Sequence, residues 1–412
     1  MKKCLLFVVI VALAVCLVGC VQQPVSMEGF DMLQAALNLI DSDYLGELDI
    51  DKADYLAASA VLNGLDDYTY LKDYQIASAA SASLGMMTLN TRYNDHFVDY
   101  VYPNTPADHT FEDGFHLMRG DEIYAVNGQR VRGLSSSYMS EYMAGDAGTE
   151  LCLSIWRDGK YVGDYTYVKA SQYLPRAFYI ADLYEDGTNV GYIHLNDFSQ
   201  VKTEDGKVHR ASDDFAVCMD RAAADGVKKL VLDLRNNGGG STDILSEIAS
   251  YFVPLDEGKP RNIMQLEYQK TGEKWNVSVS LDNYVEGLEL VIICNGNTAS
   301  AAECLIGACR AFHPNTTVIG QPTHGKGVFQ QSSVPIEDHT RFNEDTFPDQ
   351  YYVVLVSGYY YIFDPAVEGG RYCIHENPLQ PDYVTADEET VGKLWQDAEL
   401  LKAKELLFSE NE

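Results

Sequence analysis

The sequence is poor in positive charge. Thirty lysines and arginines stand against 61 acidic residues, for a net charge of −31. No basic run offsets this, and a surface so negative repels phosphate backbones, which excludes a nucleic-acid-binding protein. Long apolar runs are missing beyond the N-terminus, which excludes a polytopic membrane protein. The nine histidines form no H-E-x-x-H or comparable cluster, so no metal site is expected. The nine cysteines show no C-x-x-C spacing. Neither G-x-G-x-x-G nor G-K-[ST] occurs, and no cofactor is expected. What is present is ordinary for a globular chain, with 46% apolar and 22% charged residues. At about 150 residues per domain, 412 residues make two or three domains.

The N-terminus reads as an export signal. Lys2 and Lys3 supply its positive start. Cys4 to Leu17 supply an apolar stretch shorter than the roughly 20 residues a membrane-spanning helix needs. The stretch ends in Leu17-Val18-Gly19-Cys20, which resembles the lipobox of bacterial lipoproteins. That resemblance implies cleavage before Cys20, a lipid on the cysteine, and a protein tethered to the bacterial cell membrane outside the cytoplasm. An ordinary secretory signal is the other reading. Cys4 and Cys16 would leave with the signal. The remaining Cys152, Cys218, Cys294, Cys304, Cys309 and Cys373 lie mostly within apolar runs and are expected to be buried free thiols.

After a signal (1–19) and a polar linker (20–27), residues 28–76 form a helical segment. Phe30, Leu33, Leu37, Ile40 and Tyr44 recur at helical spacing, and a second helix is expected from Asp51 to Gly64. Between 77 and 170 the texture changes to short alternating strands and turns, including Asn127-Gly128 and Asp158-Gly159. From 171 to 412, buried strands (Gly191–Leu195, Lys229–Leu234, Leu288–Cys294) alternate with helices (Thr242–Phe252, Ala299–Phe312), which predicts an α/β core.

Three segments of that core carry chemistry. Leu230 to Gly240 runs from a strand through Arg235-Asn236-Asn237-Gly238-Gly239-Gly240, and such a loop exposes N–H groups suited to an anion or an oxyanion. Ser300, between a buried strand and a helix, sits where the helix field favours negative charge. Ser300-x-x-Glu303 is equally a capping box. Lys326 lies between Gly325 and Gly327, with Gln330 four residues on. If the segment is a strand, both side chains share a face, and the amide oxygen of Gln330 can orient the amine without adding charge. An exposed lysine in a turn is the plain alternative.

Taken in order, Asp-Leu-Arg-Asn-Asn-x-Gly-Gly, Thr-Ala-Ser-Ala-x-Glu and Gly-Lys-Gly-x-x-Gln resemble the carboxyl-terminal processing peptidases, or tail-specific proteases. The likeness covers almost the whole chain after the signal. It implies a crotonase/Clp-like ββα protease core with an inserted PDZ β-domain. Ser300 would be the nucleophile, Lys326 the general base, Gln330 its orienting partner, and the N–H groups of Ala301 and Gly239 the oxyanion donors. The stretch from Pro103 to Trp156, with Gly120-Asp121-Glu122-Ile123 and Val126-Asn127-Gly128, resembles a PDZ domain. Leu84, Gly85, Met86 and Met87 stand at its carboxylate-binding loop. Partners would be proteins with free C-terminal tails, and the membrane through Cys20; a homo-oligomer is left open. The chain departs from the family pattern at His324, usually an aromatic, and at Met143-Ala144-Gly145, where many relatives carry an arginine. A Ser–His pairing through His324, a peptide receptor without hydrolysis, and acyl-transfer or hydratase chemistry on thioesters are the competing readings. The acidic stretch from Pro335 to Gln350 would border the substrate path.

Overall fold

A computed structural model describes residues 57, 59–73, 82–90, 94–184, 186–203, 206–335, 351–385 and 397–408. The chain divides into two compact units, 1–67 and 68–412. In the first, residues 59–63 are helical and close on a turn in which the Gly64 N–H donates to the Ala60 carbonyl at 3.0 Å. The expected signal, the lipobox cysteine Cys20, the helix at 30–44 and most of the acidic stretch after Pro335 lie outside the described residues.

The second unit begins its alternating-strand region at Ala82. Met86–Asn90, His96–Val101, Glu122–Val126, Glu150–Arg157 and Lys160–Val168 form an antiparallel sheet in that order. Two of its reversals are the Asn-Gly and Asp-Gly pairs singled out above. Asn127 and Gly128 have φ of 50° and 75°, and Asp158 and Gly159 have 51° and 73°, the paired positive values of a tight hairpin turn. Alternate residues of these strands (Val98, Ile123, Leu151, Leu153, Ile155) bury against Met139 from the helix Ser136–Tyr142. Among the described residues, Met86–Asn90 has a strand on one side only. Ala82–Ser83 and Ala170–Ser171 pair antiparallel at the neck of this region.

The remaining residues build the expected α/β core. Val190–Leu195, Lys229–Asp233, Glu289–Cys294 and Thr316–Gly320 pair in parallel, in that order. Their near-continuous apolar runs follow from burial on both faces. Leu230, Leu232, Leu290 and Ile292 enter one hydrophobic cluster, and the intervening Val231, Val291 and Ile293 enter another. The first cluster includes the helices Ala211–Ala224, Thr242–Ala249 and Ala301–Phe312; the second includes the C-terminal helix Ala398–Phe408.

A second sheet, with Arg261–Tyr268 and Tyr351–Phe363 adjacent, packs against Ala301–Phe312 from the other side through Met264 and Ile362. That helix is buried from Ala301 through Cys309. A Cβ on Gly307 would stand 2.7 Å from Ile362 Cγ2, so glycine permits the close approach. The antiparallel sheet region docks on this core through Tyr100, stacked on Phe178 at 3.5 Å between ring centres.

Candidate active site

Three adjacent parallel strands deliver the three predicted segments to one edge, their C-terminal ends, where open α/β sheets leave a crevice. Lys229–Asp233 leads into the glycine loop, Glu289–Cys294 into Ser300, and Thr316–Gly320 into Lys326. Thr298, fully buried, fastens all three. Its hydroxyl donates to the Leu234 carbonyl at 2.8 Å and accepts from the Asn295 N–H at 3.0 Å, while its carbonyl accepts from the His324 N–H at 2.9 Å.

Ser300 caps the helix Ala301–Phe312 with φ 58° and ψ −119°. A non-glycine residue held there costs on the order of 1–3 kcal/mol and persists only where its surroundings impose it. The same kind of sharp, strained strand-to-helix turn presents the nucleophilic serine of α/β-hydrolases. Ser300 is half-buried, and its backbone N–H donates to Glu303 Oε2 at 2.8 Å, one half of the anticipated capping box. Ala301 is the first helical residue, a position for whose N–H the helix has no acceptor.

The glycine loop lies directly against this turn. A Cβ on Gly239 (φ 93°) would fall 2.8 Å from both Ala301 N and Ser300 Cβ, so only glycine fits. Its N–H, however, is engaged: it donates to Asn237 Oδ1 at 2.9 Å, and the buried Asn237 amide in turn donates to the Leu195 carbonyl at 2.8 Å. The expectation of a presented Gly239 donor is therefore corrected. The residue stands beside the serine with its N–H turned to its own loop.

Lys326 completes the cluster, with one correction to its setting. The strand begins at Val328, not at the lysine, and a register irregularity separates Phe329 from Gln330. Simple strand alternation therefore does not relate residues 326 and 330. Even so, Lys326 Nζ donates to Gln330 Oε1 at 2.9 Å. Gln330 is fixed by its other end, its amide donating to the Tyr68 carbonyl at 2.9 Å, and the Tyr68 ring lies 4.9 Å from the ammonium. Tyr360, buried in the adjoining sheet, donates its hydroxyl to the Lys326 carbonyl.

Burial lowers the lysine pKa from its ordinary value, against a smaller opposing pull from Glu303. Glu303 is fully buried and holds the whole arrangement. Its Oε1 accepts from Thr323 Oγ1 at 2.6 Å and the Gly325 N–H at 2.8 Å, and its Oε2 accepts from the Lys326 N–H at 3.1 Å as well as from Ser300. One carboxylate oxygen thus grips the backbones of the serine and the lysine together.

Sequence reasoning had Glu303 only as a cap, and did not find Tyr68, Thr298 or Asn237. His324 is exposed, its ring 6.2 Å from that of Tyr68. The four residues Leu84 to Met87 lie apart from this cluster, in the antiparallel region. Leu84 is buried, Gly85 has φ 81° with a Cβ position 2.2 Å from Thr105, and Met86 and Met87 pack into different clusters. The six cysteines from Cys152 onward are free, four of them buried. Among the described residues no group of three or more His, Cys, Asp or Glu could hold a metal ion.

Residues 189–384 match the model of peptidase family S41. The chain is 29% identical over 308 residues to carboxy-terminal processing protease CtpA of Bacillus subtilis (strain 168), covering 73% of this chain and 61% of that protein. To carboxy-terminal processing protease CtpB of the same organism it is 26% identical over 319 residues, covering 76% and 62%. The chain thus spans under two thirds of the length of these relatives. A crystal structure from Bacteroides fragilis, assigned to the S41 proteases, shares the fold at a TM-score of 0.61 and 18% identity, over 89% of this chain and 91% of that one.

Proposed function

We propose that this protein, whose residues 189–384 match the model of peptidase family S41, is a serine endopeptidase that cleaves proteins at or near unstructured C-terminal tails. The observation that carries the reading is Ser300. Its strained backbone is held by the same carboxylate that holds Lys326, whose amine is partly dehydrated and aimed by Gln330.

The neutral Lys326 amine takes the proton from the Ser300 hydroxyl as Oγ attacks the scissile carbonyl. The oxyanion of the tetrahedral intermediate takes a hydrogen bond from the Ala301 N–H. The lysine then returns the proton to the leaving amine, the peptide bond breaks, and an acyl-enzyme remains. Water activated by the same amine releases the new C-terminus. These steps use only the chain's own residues.

Substrate tails are delivered by the antiparallel region, read as a PDZ domain. A tail adds as a strand to the open side of Met86–Asn90 and places its carboxylate at Leu84–Gly85. Export, cleavage before Cys20 and lipidation there hold the enzyme on the outer side of the cell membrane.

The test incubates the full chain in detergent with model proteins bearing apolar tails, free or amidated at the C-terminus. Turnover of the free tail is expected, and Ser300→Ala and Lys326→Ala should each abolish it while leaving the fold intact. If Ser300→Ala still cleaves and loses only the roughly 1 kcal/mol of a helix cap, the serine is structural.

A further inference from the structure

Lys169 is unusual among the chain's cations. It is 7% exposed, and its ammonium has one hydrogen-bond partner, the Met143 carbonyl at 2.9 Å. Among the described residues no carboxylate lies within ion-pair reach of it. Met143 closes the C-terminal end of the helix Ser136–Tyr142, where the helix dipole offers only about half an elementary negative charge. An ammonium carries three donors, and the Met143 carbonyl takes one of them. A buried charge without a full counter-charge is costly.

The place of Lys169 says which ligand. The neck strands pair Ser83 with Ala170, so Lys169 and Leu84 each lie one residue beyond that pair, next to the Leu84–Gly85 loop. Leu84, Met86, Met139 and Met143 converge in the same apolar cluster. The ammonium therefore sits where the end of the helix, the loop and the start of the open strand Met86–Asn90 meet. A peptide adding antiparallel to that strand ends at this point.

We infer that Lys169 is a binding residue for the terminal carboxylate of the substrate tail, supplying the charge while the loop supplies backbone N–H groups. This rests on reading residues 82–171 as a tail-binding domain. Its chemical consequence is a demand for a free α-carboxylate, since an amidated end leaves the buried ammonium uncompensated. A charge-assisted hydrogen bond is also stronger than a neutral one.

The test measures fluorescence anisotropy of a short fluorescein-labelled peptide ending in Ala-Val-Val, as free acid and as amide, with the full Ser300→Ala chain in detergent. The parent should bind the acid at least about tenfold more tightly than the amide, equivalent to about 1.4 kcal/mol. Adding Lys169→Gln, which keeps a donor for the Met143 carbonyl, should bring the two affinities together with that of the amide unchanged. Lys169→Arg should keep most of the preference. A Lys169→Gln chain that still prefers the acid as strongly as its parent overturns the inference. A parent with no preference overturns the tail-binding reading itself. Carbodiimide coupling of the parent with the acid peptide, mapped by mass spectrometry, needs no variant at 169. Acylation at Lys169 is expected, and coupling confined to other amines overturns the assignment.

Discussion

Ser300 and Lys326 are each held in a state that costs free energy. Strain at φ 58° disappears when the side chain does, because glycine adopts that conformation freely. Ser300→Gly is therefore expected to raise thermal stability, by about 1 kcal/mol, while removing hydrolysis; differential scanning fluorimetry beside a cleavage assay checks both. Lys326 has a native pKa below that of the unfolded chain, because burial disfavours the ammonium. At and below the native pKa the fold carries this penalty in full. The penalty shrinks as pH rises from the native pKa towards the unfolded value and vanishes above it. Lys326→Met should accordingly melt above the wild type at neutral pH, with the gap narrowing in alkali. Activity needs the neutral amine, so turnover should rise with pH through the native pKa. Gln330→Glu places a carboxylate against the amine, favours its charged form, and should move that rising limb to higher pH.

The helix Ala301–Phe312 owes its role to one carboxylate on its first turn. Glu303 satisfies one hydroxyl and three backbone N–H groups in a dry site. Removing it leaves those donors buried without partners, so Glu303→Ala should cost about 3 kcal/mol or more in chemical denaturation and lower kcat steeply by loosening the Thr323–Lys326 loop. This is also where the sequence stops being readable. Strands, helices and glycine loops were legible because their apolar runs and turn residues are local, and the three motifs named Ser300, Lys326 and Gln330. The partners that aim them are not local. Gln330 is fixed by Tyr68, 262 positions away, and Glu303 reaches residues some twenty positions on. The Lys326–Gln330 pair was anticipated for a reason the fold does not use, since the lysine precedes its strand and a bulge intervenes. Gly239 was expected to present its N–H as an oxyanion donor, but a neighbouring side chain claims that N–H.

Across the second unit, one chain of charges joins parts that are far apart in sequence. Arg235, at the entrance to the glycine loop, pairs with Asp233, Asp397 and Glu399, and Asp397 also meets Arg119 from the antiparallel region at 3.5 Å. Burial pushes Asp233 up, but the Arg235 guanidinium outweighs it and holds the carboxyl well below its usual range. Glu399 goes the other way. Burial and the neighbouring Asp397 push it up to about 7. A carboxyl whose native pKa is raised stabilises the fold fully below its unfolded pKa, and that contribution is lost as pH rises through the native value. Docking of the C-terminal helix should therefore weaken between about pH 5 and pH 8, read as faster amide exchange in Ala398–Phe408, and Glu399→Gln should flatten the dependence.

The grip of Glu303 on positions 300 and 326 runs through the main chain, so it is indifferent to what those positions carry. The seat outlasts its occupant. A thiol installed as Ser300→Cys would inherit the same turn, the same neighbouring amine and the same dry wall, and would become a handle for alkylating probes. The scaffold can thus be refitted for other chemistry one side chain at a time, without redesigning the frame that aims it.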